Sequence, residues 1–409
     1  MDLRYSTEDD QFRAHVRDWL AANMPKQKLR TMAERQEWHR QLYEAGFVGM
    51  GWPTEYGGRN ARPMEQAIVA EELAKANAPA GVNQLAISIV GPTLIHHGTD
   101  EQRQRYLKNI LTGEELWCQL YSEPNSGSDL ASLQTRAEID GDTFIINGQK
   151  IWTSGGHHSD WGLMLARTDP RAQKHNGISC ILVDLRSEGV EARPLKQMNG
   201  DTGFSEIFFQ NVVVPADNLV GELNTGWRIA QTTLSYERGG SLMAAVSQQQ
   251  RQFQRLIEVA GQMQSNGASA LDDPLNRQRI AEIYREIEVL RYAALRILSR
   301  LEKGQRPGPE SSIAKLHRSE ANKRIQALVL EILGPYGLQA ADLPPELSLS
   351  DDVAYGEAGS WAHAIAGSYG GTIAAGTSEV QKNILGERVL GLPKEIRADR
   401  LELADSKKA

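Results

Sequence analysis

Apolar positions recur at helical spacing from the start of the chain. Phe12, Val16 and Trp19 lie four and three apart in a polar background, which predicts an amphipathic helix. Thr99 and Gln102 have capping-box spacing ahead of Tyr106, Leu107 and Ile110, which predicts another. Residues 82–95 are almost wholly apolar and read as a buried helix. Gly51-Trp-Pro-Thr-Glu-Tyr-Gly-Gly58 breaks the pattern and reads as a loop. Near Trp117 the pattern changes to short β-like runs. Thr135–Ile139 and Thr143–Ile146 flank Asp140-Gly141-Asp142 as the arms of a hairpin would. Ile178–Leu185 and Phe204–Val214 are further runs rich in β-branched and aromatic residues, and Pro215 closes the block.

After Asn224 the helical period returns over 225–260, 276–302 and 310–333, where Gly334-Pro335 stops it. Ile283, Ile287, Leu290, Ala294, Ile297 and Leu301 form one apolar stripe. A polar stretch punctuated by Gly and Pro covers 340–360, and a closing helix is expected from Thr377 to Leu390. This order predicts an α+β fold that is mainly α. The expected units are an N-terminal helical domain over 1–116, a middle β domain over 117–224 and a C-terminal helical domain over 225–409.

Composition narrows the function. The 409 residues carry 45 Lys and Arg against 52 Asp and Glu, a net charge of −7, which argues against a general nucleic-acid or acidic-membrane binder. The two cysteines, Cys118 and Cys180, are too few for a disulfide framework. His96-His97 and His157-His158 lack acidic or Cys partners at ligand spacing, so no metal site is expected. No membrane span, secretory signal or transit peptide is expected, and a cytoplasmic location is.

Four features could carry chemistry. Trp227, Ala230, Leu234 and Glu237 share one helix face, apolar except for the carboxylate. Such a carboxylate either pairs with a neighbour or is held for proton transfer with a raised pKa. Glu123-Pro-Asn-Ser-Gly-Ser-Asp129 follows a strand and is either an ordinary turn or a pyrophosphate cradle. Trp152-Thr-Ser-Gly-Gly156 puts an indole and hydroxyls at a strand end, as core or as a site. Gly376-Thr-Ser-Glu379 opens the last helix, as a plain cap or as an anion contact.

Three segments together resemble the acyl-CoA dehydrogenase family: Tyr121-Ser-Glu-Pro-Asn-Ser-Gly-Ser-Asp129, Asn147-Gly-Gln-Lys-Ile-Trp-Thr-Ser154 and Ala375-Gly-Thr-Ser-Glu-Val-Gln381. The resemblance implies a middle domain like a β-barrel, a C-terminal four-helix bundle, and FAD between them. It also implies that Tyr121 and Ser122 contact the flavin, that Trp152 and Ser154 cover its other side, and that Ser128 reaches the phosphates. Thr377 and Glu379 would touch the cofactor from the last helix. Ser128, Ser235, Arg238 and Ala375 would border the acyl-CoA substrate. The reaction implied is α,β-dehydrogenation, with a base taking the Cα proton and an electron-transfer flavoprotein as acceptor.

Many members carry the base as a Glu just before the Gly-Thr of the last segment, where this chain has Ala375. Isovaleryl-CoA and long-chain members resemble the arrangement Tyr236-Glu237-Arg238, which implies Glu237 as the base. A second departure lies at 264–274, which lacks the family's Arg-x-x-Phe-Gly segment that reaches a neighbouring subunit's FAD. Glu331 and Pro335 also stand where the family often has Gln and Gly. The expected assembly is a homo-oligomer, dimer or tetramer, with pairing to a related subunit as the alternative. Two other readings remain: a flavin protein of the same fold without dehydrogenase activity, and an oxygen-using oxidase or monooxygenase.

Overall fold

The computed structural model describes residues 5–237, 242–265, 267–305, 308, 310–338, 347 and 360–394; the side chains at 234–237, 265 and 310 lie outside that description. Five helices build the N-terminal layer: α1 (Thr7–Asn23), α2 (Met32–Glu44), α3 (Pro63–Lys75), α4 (Gly91–His97) and α5 (Asp100–Thr112). The α5 capping box forms as its spacing predicts: Thr99 accepts from the Gln102 N–H, and Gln102 reaches back to the Thr99 N–H. The apolar run 82–95 becomes a π-type turn, Ala86–Val90, leading into α4.

Eight strands follow: β1 (Trp117–Leu120), β2 (Arg136–Asp140), β3 (Thr143–Ser154), β4 (Trp161–Arg167), β5 (Ile178–Asp184), β6 (Val190–Leu195), β7 (Phe204–Pro215) and β8 (Leu219–Val220). The β2–β3 hairpin turns at Gly141, whose φ of +56° suits glycine. Strand order is β6-β7-β3-β2-β4-β5-β8, with β1 parallel to β4. The path is open, with β6 and β8 at its ends, so the expected barrel-like closure is not what the pairing shows. The link between its two halves is slight, because β2 meets β4 through one register pair, Arg136 and Arg167.

Alternation along β4 and β5 explains their unbroken apolar runs. Leu163, Leu165, Cys180 and Leu182 face the helical core around Trp38 and Leu107. Met164, Ala166, Ile181 and Val183 face the opposite core with Phe144 and Phe209. Both faces are covered, so the interior positions are apolar apart from Ser179.

The C-terminal part contains α6 (Gly226–Glu237), α7 (Leu242–Gln262), the short β9 (Gln264–Ser265) and β10 (Ala268–Ser269), α8 (Pro274–Leu301), α9 (Glu310–Leu333), α10 (Trp361–Ile373) and α11 (Ser378–Ile384). The run 225–260 carries α6 and α7, with 238–241 between them outside the described residues. Helix α10 was not expected from the sequence, and most of 340–360 lies outside the described residues. Helices α7 to α10 share one core: Leu256 and Val259, Ile283 and Ile287, Ile325 and Leu328, and Trp361. The stripe on α8 is consumed inside this core and its neighbour, so it is not an intersubunit surface.

Candidate functional site

The site is built where β1 ends beside the last turn of β3. The Ile151 N–H donates to the Ser122 carbonyl (2.9 Å), which lays 121–122 along 150–151. Opposite β7 the register slips between Lys150 and Thr153, a bulge of one extra residue. Trp152 occupies the bulge with φ of +58°, a conformation that a bulky residue rarely adopts. The bulge turns its indole outward, 58 % exposed, with only the Phe204 ring edge-on at 6.0 Å. Thr153 points the other way, and its buried hydroxyl has no hydrogen-bond partner. Ser154 is exposed and Ser122 half-buried on the same edge.

Beneath this edge lies a buried ion pair that the sequence reading did not single out. The fully buried Lys150 ammonium donates to the Tyr121 carbonyl (3.1 Å) and to the Glu123 carboxylate (2.8 Å). Glu123 also accepts the backbone N–H groups of Gln134 (2.6 Å) and Thr135 (2.9 Å). Burial pushes Lys150 down to about 8, with Glu123 opposing. Burial raises the Glu123 carboxyl, but the Lys150 charge and the N–H donors outweigh it and leave it below its usual range. The only sequence signal was a lysine alternating with apolar residues in a strand.

Ser128 sits apart from that edge, on the exposed turn beyond Glu123, next to an Asp129–Lys174 ion pair (2.5 Å). A second cluster forms on α9. Ala375 and Gly376 are both left-handed, at φ +54° and +86°. The Lys315 ammonium donates to the Gly376 carbonyl (2.6 Å), and Ser378 donates to Glu320 (2.7 Å). Thr377 accepts from the Val380 N–H as the cap of α11, and Glu379 is exposed on its first turn. The β domain meets this half of the molecule where Asp201 pairs with His363 of α10 (3.1 Å).

Glu237 is the last described residue of α6, whose buried face carries Ile229, Ala230 and Thr233; Thr233 bonds Thr93 across to α4 (3.0 Å). The side chains of Ser235 and Glu237, and all of Arg238, lie outside the described residues. At the other end of α6 a groove of about 250 Å³ is lined by His175, Asn224, Trp227 and Arg228 among others. Both cysteines are buried and free; burial pushes the Cys118 thiol up to about 12 and the Cys180 thiol up as well, so neither is a ready nucleophile. Among the described residues no cluster is placed for a metal, and no helix is long and apolar enough to cross a membrane.

Sequence profiles of the acyl-CoA dehydrogenase N-terminal, middle and C-terminal domains match residues 6–114, 118–212 and 224–390. The chain belongs to the acyl-CoA dehydrogenase family. It is 38% identical to acyl-CoA dehydrogenase IpdE1 of Mycobacterium tuberculosis, over 95% of this chain and 99% of that one. Its fold matches the Tcur3481-Tcur3483 steroid ACAD with a TM-score of 0.81 at 30% identity, over 97% of this chain and 100% of the other. The ChsE4-ChsE5 complex of Mycobacterium tuberculosis matches with a TM-score of 0.79, also at 30% identity, over 97% and 100%. The dehydrogenase assignment for this oxidoreductase therefore rests on the whole length of the chain.

Proposed function

We propose that the chain is an FAD-dependent dehydrogenase that removes the Cα and Cβ hydrogens of an acyl-CoA thioester, with Glu237 as the base. The observation that carries this reading is the edge at Trp152. Its indole is held outward by a strained backbone, with the exposed Ser154 and the half-buried Ser122 on the same edge. An outward aromatic face, free hydroxyls and strand-end backbone donors suit a flat heteroaromatic ring with carbonyl and nitrogen acceptors. FAD bound there supplies the acceptor for the hydride that leaves Cβ.

The chain's own residues do the rest. Tyr121, Ser122, Trp152 and Ser154 bind and orient the ring; Ser128, Thr377 and Glu379 serve the remainder of the cofactor. Ser128, Ser235, Arg238 and Ala375 border the thioester. Ala375 has no ionisable group, so proton removal falls to Glu237, at the end of the α6 face that excludes water. Glu237 lies nine residues beyond the groove-lining Arg228 on α6, about 14 Å along the helix axis at 1.5 Å per residue. That groove, with a cation and two aromatic rings, suits the nucleotide end of CoA.

The test is anaerobic mixing with a panel of acyl-CoAs while flavin bleaching is followed. The panel includes straight-chain, branched and steroid-ring acyl groups, since one similar structure is described as a steroid ACAD. Glu237→Gln should keep FAD and lose roughly 10²–10⁴-fold in the rate of flavin reduction. Near wild-type reduction by that variant would sink the base assignment. Bleached wild-type enzyme that is reoxidised rapidly by O₂ would favour an oxidase over transfer to an electron-transfer flavoprotein.

A second reading, one subunit of a heteromeric dehydrogenase, is favoured by two observations. The family's reaching segment is replaced by the small β9–β10 hairpin. Glu331, at the family's Gln position, is paired with Arg279 of its own chain (2.8 Å) and so is engaged at home.

A further inference from the structure

Lys150 is a costly residue to place in a sheet core. Desolvating an ammonium costs several kcal/mol, and apolar residues of similar volume usually replace a buried pair without loss of stability. The pair is therefore poorly explained as a stabiliser of the fold. What it does is join segments. Lys150 on β3 holds the Tyr121 carbonyl, and Glu123 holds the entry to β2 through the Gln134 and Thr135 N–H groups. Between these anchors lie Ser122 on one side and the bulge with Trp152 on the other.

We infer that Lys150 and Glu123 are the positioning pair of the ring-binding edge: they fix Tyr121-Ser122 against Trp152-Ser154 so that donors from both segments meet one ring. The inference rests on the reading of that edge as the FAD site. The charged groups facing the pair are each other and Arg167 of β4, which feels the Glu123 charge and donates to the Ala131 and Lys174 carbonyls. Among the described residues, Glu123 is the charge that acts on Lys150 itself. Burial thus makes this ammonium easier to deprotonate than a free lysine, and its charge hold on Glu123 is expected to weaken as pH rises towards and above about 8.

The experiment uses the full chain loaded with FAD, co-expressed with a related subunit where the chain alone takes up too little. The flavin absorbance spectrum and the FAD retained after gel filtration are measured from pH 7 to about 9.5, with unfolding of the apoprotein in parallel. Wild type should lose retention with a midpoint near 8. Lys150→Arg, whose guanidinium stays charged, should keep FAD through the range. The double variant Lys150→Met/Glu123→Gln should unfold within a few degrees of wild type. At pH 7 it should hold FAD about tenfold more weakly, with a shifted spectrum, as befits lost charge-assisted contacts. Identical pH curves for wild type and Lys150→Arg, or a double variant with wild-type retention and spectrum, overturn the positioning role. A wild-type chain that binds no FAD at any pH, alone or co-expressed with a related subunit, overturns the reading of the edge, and the positioning role falls with it.

Discussion

Trp152 sets backbone strain against its proposed role in one side chain. A bulky residue at φ +58° costs on the order of 1–3 kcal/mol, which surrounding structure must offset. Glycine adopts that conformation freely. Trp152→Gly should therefore leave the apoprotein as stable as wild type or raise its unfolding temperature by about 1 °C for each kcal/mol relieved. The same change removes the indole that the proposed FAD site presents, so retention of FAD should fall. Thermal unfolding of apoprotein together with flavin content after dialysis reads both. A variant that loses stability and keeps FAD would show that the indole serves packing instead. At this scale the sequence was legible through its motifs: Trp152 and Ser154 stand out as a strand-end aromatic and hydroxyl. Lys150 does not, because its importance comes from Glu123 and Tyr121, which reach it from 27 and 29 residues away.

Elements announced themselves where one face was apolar and the caps were plain. Helices α1, α5 and α8 and the β2–β3 hairpin follow from spacing, a capping box and a glycine turn. Helix α10 did not, because Trp361-Ala-His-Ala-Ile-Ala-Gly-Ser-Tyr-Gly-Gly-Thr-Ile373 has glycines in its interior and little polar contrast; its Ser360 cap was the one usable signal. Sheet closure was illegible for another reason, since pairing partners lie far apart in sequence. One contact between elements carries a pH signature. His39 on α2 donates from Nε2 to the Leu111 carbonyl of α5 (2.9 Å) and is fully buried. Burial pushes its pKa down to about 4. An unfolded histidine titrates near 6.5, so between about 6.5 and 4 the unfolded chain binds the extra proton. Stability from this group is whole above 6.5 and is lost as pH falls towards 4, up to about 3 kcal/mol. Denaturant unfolding at pH 7 and pH 4.5 measures it. His39→Gln keeps a donor for Leu111 and should flatten that part of the slope; an unchanged slope would refute the assignment.

Assembly is decided by what the whole molecule offers a neighbour. The predicted stripe on α8 is spent inside the chain's own core, so it cannot serve as the contact. Away from that stripe, α8 leaves Tyr284, Val289 and Tyr292 exposed. The β9–β10 hairpin carries neither the arginine nor the phenylalanine that would reach a partner's cofactor, and Arg279 occupies Glu331. A copy of this chain therefore has little to lend another copy's FAD site. A related subunit with that segment intact could lend it, while receiving nothing in return. Two structures similar to this chain carry paired names, Tcur3481-Tcur3483 and ChsE4-ChsE5. The prediction is that the chain expressed alone binds FAD poorly, and that co-expression with a related subunit restores about one FAD per pair of chains. Light scattering combined with the flavin-to-protein absorbance ratio measures both quantities on one sample. A stable homo-oligomer with one FAD per chain would rule out an obligatory partner; other contacts of the chain would then have to hold the adenine end.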